Sequence, residues 1–435
     1  MAPKTNYTTE TAGMLSPYRV LDLTENGCMY AGKLLGDLGA DVVKIEKPGG
    51  SSSRSIGPFW HDDVHPERSL FWMAYNSNKR SMTLDLESTD GVEIFKQLAK
   101  TADFVLESFP PDYMNKLGLG YDELERINPG IIVAAITPFG QTGPKANNAW
   151  CDMSVWSSGG PTYLTGHPDR PPVSIGFAHQ ATLHGGAEAA AACMIALSYR
   201  GKTGEGQFID VSLQECAYWV ITSWQEFWET TGTIPKRQAG FAGVGRGHTP
   251  MAAGTARERR QLYPCKDGFI MYTVQGGAWG GATSSSAVVE WMNEEGMSPK
   301  WLLEFDWVRG FDLSNMNMET LDALEDVFLK FFMGKTKLEI TDRSVQGHFM
   351  VGPVNTLEDV GTYPQLQERG FFREIWHEEL RETVTYCGPA VIASEAPMNL
   401  RLPAPLIGEH NNELLTGELG LSEDELIVLM HAGII

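Results

Sequence analysis

Two histidines, one aspartate and a pair of glycines are the residues whose types and spacing invite chemistry. His179 and His184 bracket a polar loop that runs into an Ala-rich stretch from Gly185 to Arg200, and imidazoles there could take or give a proton near neutral pH. They could equally be structural or solvent-facing. The Ala, Met and Leu content of the stretch favours helix, so His184-Gly185-Gly186 is expected at a helix N-terminus. Unpaired backbone N–H groups and the positive end of the dipole would gather there and could hold a carboxylate, a thioester oxygen or a phosphate. A buried helix whose glycines permit close packing is the competing reading. Asp152 follows a loop rich in Gly and Asn and stands beside Trp150 and Cys151, as a carboxylate for catalysis or as a helix cap. The His61-Asp-Asp-Val-His65 spacing imitates a metal pair, but Pro58 and Pro66 enclose it in a loop, so it reads as surface and no metal is expected. The sequence has no GxSxG elbow, and the loop after Glu46 is neither a GxGxxG nor a Walker loop.

These groups need a scaffold, and strand and helix patterns alternate to supply one. Residues 18–24, 41–46, 80–85, 102–107, 130–137 and 206–213 read as strands, with helices at 31–38, 90–100, 121–127 and 185–200 among them. The 130–137 run is apolar throughout, which marks a strand covered on both faces and hence a parallel α/β sheet. Gly39 is placed as the residue that ends the first helix. The first βαβ unit is right-handed by rule, with its ligand crevice at the carboxyl ends of the strands. Residues 214–230 read as one long helix carrying Trp219, Trp224, Phe227 and Trp228, which suit a core, an interface or an acyl pocket. Residues 231–260 read as a linker containing Arg237, Arg246, Arg257, Arg259 and Arg260, and Gln275–Gly281 as a glycine-rich turn or flap. Helices are expected at 319–332 and 336–343, a strand from Thr383, and two short helices in the tail.

At 435 residues the chain exceeds what one core usually organises, so two lobes are expected. A net charge of −21 argues against nucleic-acid partners and anionic membrane surfaces, while a local basic cleft could still hold an anionic ligand. Six scattered cysteines fit reduced thiols in a cytoplasm. The first residues show no apolar signal core and no run is long enough to span a bilayer, so a cytoplasmic location is expected.

The segments VLDLTENGCMYAGKLLGDLGADVVKIEKPGGSSSR, NSNKRSMTLDL, ADFVLESFPPDYMNKLGLGYDEL, NPGIIVAAITPFGQTGP, RGKTGEGQFIDVSLQE and APLIGEHNNELL together resemble the class III CoA-transferases, the group of formyl-CoA transferase, carnitine CoA-transferase and the methylacyl-CoA racemases. The resemblance spans nearly the whole chain. It implies a Rossmann-like large domain built from residues 1–230 and 351–435, a linker and small α+β domain at 231–350, and two subunits interlocked as rings. It also implies CoA and acyl-CoA as substrates, with no tightly bound cofactor. CoA would lie along Glu25–Ala31, with Lys47 and Arg54 near the adenosine and its phosphate, Leu84, Ser108 and Phe109 along the nucleotide, and Lys116 as a further phosphate contact. Gln275–Gly281 falls where the family has its flap.

By the resemblance, the family's nucleophile is an aspartate about four residues before a glycine at the start of the helix that precedes the KTGxGQ turn. Its carboxylate attacks the acyl-CoA thioester, giving a mixed anhydride and then an aspartyl-CoA thioester. Here that position falls on Ala181 or Thr182, and no Asp or Glu occurs between Arg170 and Glu188. The resemblance therefore points to an Asp-lacking subunit of a heteromer of the benzylsuccinate CoA-transferase type, paired with a paralogous subunit as heterodimer or heterotetramer. Succinyl-CoA is the expected donor and an aromatic or substituted carboxylic acid the acceptor. The alternatives are a self-sufficient transferase or racemase that uses Asp152, His179 or His184, and a non-catalytic CoA-binding protein.

Overall fold

The apolar strands of the first half of the chain lie side by side in one parallel sheet. This computed structural model describes residues 13–435 apart from 167–169, 175, 177–178, 233, 235–236, 238–245, 250–256, 278–280 and 313–315. Described residues of 1–161, 176–222 and 364–435 form one compact unit, and those of 162–175 and 223–363 form another.

In the first unit the strands are β1 (Arg19–Leu23), β2 (Asp41–Glu46), β3 (Lys79–Thr83), β4 (Phe104–Glu107), β5 (Ile132–Thr137) and β6 (Gln207–Ser212), in the spatial order β3-β2-β1-β4-β5-β6. Every pairing is parallel. The intervening helices are α1 (Tyr30–Asp37), α2 (Leu70–Asn76), α3 (Thr89–Ala99), α4 (Tyr113–Lys116), α5 (Tyr121–Ile127), α6 (Asp152–Ser158), α8 (Gln180–Thr203) and α9 (Leu213–Trp219), while α7 (Pro161–Leu164) lies from Thr162 onward in the second unit. β5 is buried at all six positions, as its unbroken apolar sequence requires for a strand covered on both faces. Gly39 follows α1 with φ +104°, a conformation that costs glycine nothing. Ser88 caps α3 by accepting the Gly91 N–H at 3.0 Å.

α8 begins at Gln180 rather than at His184, so the two glycines sit inside the helix. Their reason is packing. A Cβ on Gly185 would fall 2.1 Å from Leu213 Cδ2, and one on Gly186 would fall 3.2 Å from the Ala31 nitrogen and the Gly27 carbonyl. The helix ends at Gly204 (φ +82°), whose N–H donates to the Arg200 carbonyl at 2.7 Å.

The expected 214–230 helix is broken at β-branched Val220 and Ile221 into α9 and a second helix, Thr222–Thr231. Trp219 and Trp228 are 70% and 44% exposed, so neither belongs to the core of this chain. The 231–260 segment holds two strands of a hairpin, Arg246–Thr249 with Arg257–Arg260, where a linker was expected; much of the rest of it, and Ala278, Trp279 and Gly280 of the expected flap, lie outside the described residues.

The second unit has its own core. A three-stranded antiparallel sheet (Leu262–Cys265, Gly268–Met271, Gly352–Val354) packs Tyr263 and Tyr272 against Phe328 and Phe332 of the Met318–Phe332 helix. The Lys337–Gly347 helix starts at a capping box of Thr336 and Glu339.

The C-terminal segment returns to the first unit. It adds a hairpin of Phe372–His377 with Glu382–Cys387, of which only the second strand was legible, and a π-helical turn, Glu413–Glu418, in place of an ordinary helix. It also covers the outer edge of β3. The Ser81 N–H donates to His410 Nδ1 at 3.2 Å, the Thr83 N–H to Asn411 Oδ1 at 2.9 Å, and the Asp85 N–H to the Ile434 carbonyl at 2.7 Å. An edge strand that would offer unpaired N–H groups is thereby closed without another strand. Among the described residues no helix is long and apolar enough to cross a membrane.

Candidate active site at the switch point of the sheet

The strand order reverses between β1 and β4, so the loops leaving their carboxyl ends diverge and open a crevice of the kind that doubly wound sheets use for ligands. Glu25 and Ser108 stand on its two lips, joined by a hydrogen bond from the Glu25 N–H to Ser108 Oγ at 2.9 Å. The Lys47–Arg54 loop folds onto the same place. Ser51 and Ser53 hydroxyls donate to Glu25 Oε2 at 2.6 and 2.7 Å, and the Asn26 N–H donates to Ser53 Oγ at 2.8 Å. Phe109 is half-buried next to Ser108, and Lys47 and Lys116 are exposed cations just after β2 and in α4.

Two of the residues expected on the nucleotide are placed differently. Leu84 is 1% exposed, with its side chain in the core beneath the sheet. Arg54 is also 1% exposed. Its guanidinium bridges Glu46 at 2.7 and 2.8 Å, donates to Glu67 at 2.5 Å and to the Pro405 carbonyl at 2.9 Å, and lies 3.8 Å above the Trp72 ring. Arg54 is thus an interior cation that neutralises the carboxylate at the end of β2. Burial tends to raise the Glu46 carboxyl, but Arg54 outweighs it and holds the group below its usual range.

Beneath the Glu25 lip lies a cluster of buried charges. Asp22 and Lys44 are 0% exposed and Lys79 is 1%. Lys79 Nζ donates to Asp22 Oδ2 at 2.7 Å, to Asn76 Oδ1 at 2.9 Å and to the Met29 carbonyl at 2.8 Å. Lys44 Nζ donates to the Thr24 carbonyl, and Asp22 Oδ1 accepts the Thr24 N–H at 2.9 Å. Both ends of the Thr24–Met29 segment are therefore tied to one carboxylate and its two cations. Burial raises the Asp22 carboxyl, and the two lysines more than reverse this. Burial pulls the Lys79 ammonium down to about 8 against the attraction of Asp22.

The start of α8 faces this segment. His179 is its N-cap in a left-handed conformation (φ +75°), Ala181 is 0% exposed and Thr182 is 1% exposed. Thr182 fits only because Gly27 lacks a side chain, since a Cβ there would come within 2.3 Å of Thr182 Oγ1. Asp152, at the start of α6, reaches across so that its Oδ1 accepts the Thr182 N–H at 3.0 Å and lies 3.2 Å from Thr182 Oγ1. Thr182 Oγ1 is also 3.1 Å from the His179 carbonyl. The capping carboxylate thus comes from thirty residues away, at the N-terminal end of another helix, which is why local sequence misplaced the start of α8. Asp152→Ala leaves a buried N–H without its acceptor and is expected to cost about 1–2 kcal/mol in denaturant unfolding. Asp152→Asn, which keeps an acceptor oxygen, should recover most of that loss.

The other reactive groups are muted. His184 stacks on Trp156 at 5.3 Å, and the His179 ring lies 4.5 Å from Phe71. Burial lowers the His179 pKa despite the pull of Asp152, so the imidazole is neutral at neutral pH. Cys28 is raised by burial and then by the charges of Asp22 and Asp152, which leaves an inert thiol. His61 is exposed and pairs with Glu382 at 3.0 Å, while His65 Nδ1 accepts the Glu67 N–H. Among the described residues no cluster could hold a metal ion.

Glu107, at the end of β4, was not singled out by its sequence. It is 6% exposed and accepts the Phe109 N–H at 2.7 Å. Burial, with a contribution from the Asp210 charge, raises its carboxyl to about 7. The available signal was its position: charged residues inside short apolar strands, as at Asp22, Lys44 and Glu107, are buried once both faces of the sheet are covered.

Residues 15–411 match the family model described as CoA-transferase family III. The chain is 32% identical over 419 residues, covering 96% of it and 97% of the relative, to a succinyl-CoA:(R)-benzylsuccinate CoA-transferase subunit of Thauera aromatica. It is 28% identical to a succinyl-CoA–L-malate CoA-transferase beta subunit of Chloroflexus aurantiacus, over 96% of this chain and 97% of that one. A CAIB/BAIF family protein from Brucella suis shares the fold with a TM-score of 0.76 at 28% identity, over 93% of this chain and 99% of that one.

Proposed function

Because the chain belongs to CoA-transferase family III and transfers CoA between acids, we infer that it is one subunit of a heteromeric enzyme whose nucleophilic aspartate is carried by a paralogous subunit. The reaction moves CoA from succinyl-CoA to an aromatic or substituted carboxylic acid. In the chemistry implied for the family, a carboxylate oxygen attacks the thioester carbon and expels CoA thiolate, leaving a mixed anhydride. The thiolate then attacks the enzyme's side of that anhydride, releasing the first acid, and the second acid reverses both steps.

One observation carries the subunit reading. Ala181 has no nucleophile and is wholly buried, and the Thr182 hydroxyl is buried against Asp152 and the His179 carbonyl. Neither residue can form an acyl anhydride. The relatives from Thauera aromatica and Chloroflexus aurantiacus named above, which are themselves described as subunits, support it.

A second reading rests on Asp152, whose carboxylate touches the Thr182 N–H and so stands beside the vacated position. In that reading Asp152 is the nucleophile of a self-sufficient enzyme. The two separate cleanly. The purified chain, with and without a family member that carries the aspartate, is assayed for exchange between succinyl-CoA and benzylsuccinate, and hydroxylamine is used to trap enzyme-bound acyl or CoA esters. The subunit reading expects exchange and trapping only with the pair, and a rate on the order of 10³-fold or more lower for the chain alone. Full turnover by the chain alone, abolished in Asp152→Ala, would instead assign the nucleophile to Asp152. Absence of CoA binding in either preparation would overturn both.

A further inference from the structure

Beside the start of α8 lies an apolar recess of about 190 Å3, lined by Pro58, Leu70, Phe71, Ala74, Tyr75 and His179. One face of α2 supplies four of these residues, because positions 70, 71, 74 and 75 recur at helical spacing. The Phe71 ring forms the back wall, 4.9 Å from Tyr75 and 4.5 Å from the His179 imidazole. Among the described residues no carboxylate or ammonium lines it. Burial raises the Tyr75 phenol and lowers the His179 imidazole, so both lining groups are neutral near pH 7.

His179 links the recess to the start of α8. The His179 carbonyl accepts from the Thr182 hydroxyl, and Thr182 holds Asp152. An acid bound beside the start of α8 with its substituent directed past His179 would therefore place that substituent against Phe71.

Size and polarity select that substituent. A cavity of about 150 Å3 takes a benzene molecule, so a six-membered ring fits, and the open side is left for the chain that joins it to the carboxyl group. Aromatic walls favour edge-to-face contact with such a ring. A second carboxylate placed there would lose its hydration and find no cation in return.

We propose that this recess binds the aromatic ring of an aryl-substituted carboxylic acid, and that Phe71, Ala74 and Tyr75 set the preference for such acids over purely aliphatic dicarboxylic acids. The inference rests on the CoA-transfer reading only in taking the ligand to be a carboxylic acid. Ring binding does not require the nucleophile, so the full-length isolated chain suffices for the test.

Calorimetric titrations with benzylsuccinate, succinate and CoA are run on the wild-type chain, on Ala74→Leu and on Ala74→Val. Ala74 is an exposed helical residue at the rim, where either substitution narrows the recess and leaves the core alone. The wild type should bind benzylsuccinate at least ten-fold more tightly than succinate. Ala74→Leu should remove that difference and Ala74→Val should reduce it, with CoA affinity and melting temperature unchanged. Equal binding of the two acids by the wild type, binding of neither, or a preference that survives Ala74→Leu overturns the assignment while leaving the CoA-transfer reading intact. Aryl preference without any CoA binding sinks the CoA-transfer reading and leaves the recess assigned.

Discussion

Lys79→Met is expected to cost about 3–5 kcal/mol of stability, the loss typical of removing one partner from a buried ion pair. The substitution leaves Asp22 fully buried with Lys44 Nζ as its remaining cation, 3.7 Å from Oδ1. It also takes the donor away from the Met29 carbonyl and Asn76 Oδ1. Replacing all three charged residues with apolar ones would not be neutral here, because the Thr24 and Met29 carbonyls would both be left without their lysine donors. The cost should appear in urea unfolding followed by tryptophan fluorescence. Lys79→Arg keeps the charge and should fall between wild type and Lys79→Met. A loss below about 1 kcal/mol would show that Asp22 is relieved by protonation or by entering water, and that the cluster does not anchor the segment.

Glu107→Gln is expected to stabilise the protein by about 3 kcal/mol at pH 8. The folded chain raises this carboxyl from 4.5 to about 7, so the fold binds its proton more tightly than the unfolded chain does. The stability associated with that proton is fully present below pH 4.5 and is lost as pH rises to about 7, after which the buried charge is a constant penalty. Glutamine removes the charge and keeps an oxygen for the Phe109 N–H. Unfolding free energies at a series of pH values should therefore fall between pH 4.5 and 7 in the wild type by more than in the variant. Parallel curves for the two proteins would show that Glu107 is ionised at little cost.

Much of the sheet was legible because its signals are local. The apolar run of β5 and the turn at Gly39 both follow from neighbours in sequence, and the structure keeps both. Tertiary contacts decided the rest. α8 starts early because a carboxylate from α6 caps it, and Arg54 looks like a surface cation until Glu46, Glu67 and Trp72 are brought around it. The missing nucleophile was visible in sequence, since no conformation can supply a carboxylate to Ala181 or Thr182. The Asp152–Thr182 contact, the Lys79 cluster and the recess beside Phe71 were not, because each joins residues from separate elements.

The cover on β3 has a consequence in time. The acceptor that closes the Thr83 N–H lies 328 positions later in the chain. At ribosomal speed that separation is on the order of 15–65 s. Through this interval the nascent sheet presents an open strand edge, while the second unit is still being made. Folding of the first unit can finish only once Asn411 and Ile434 have been made, so the ribosome-bound chain, more than the finished protein, is the form exposed to edge-to-edge aggregation and to capture by chaperones.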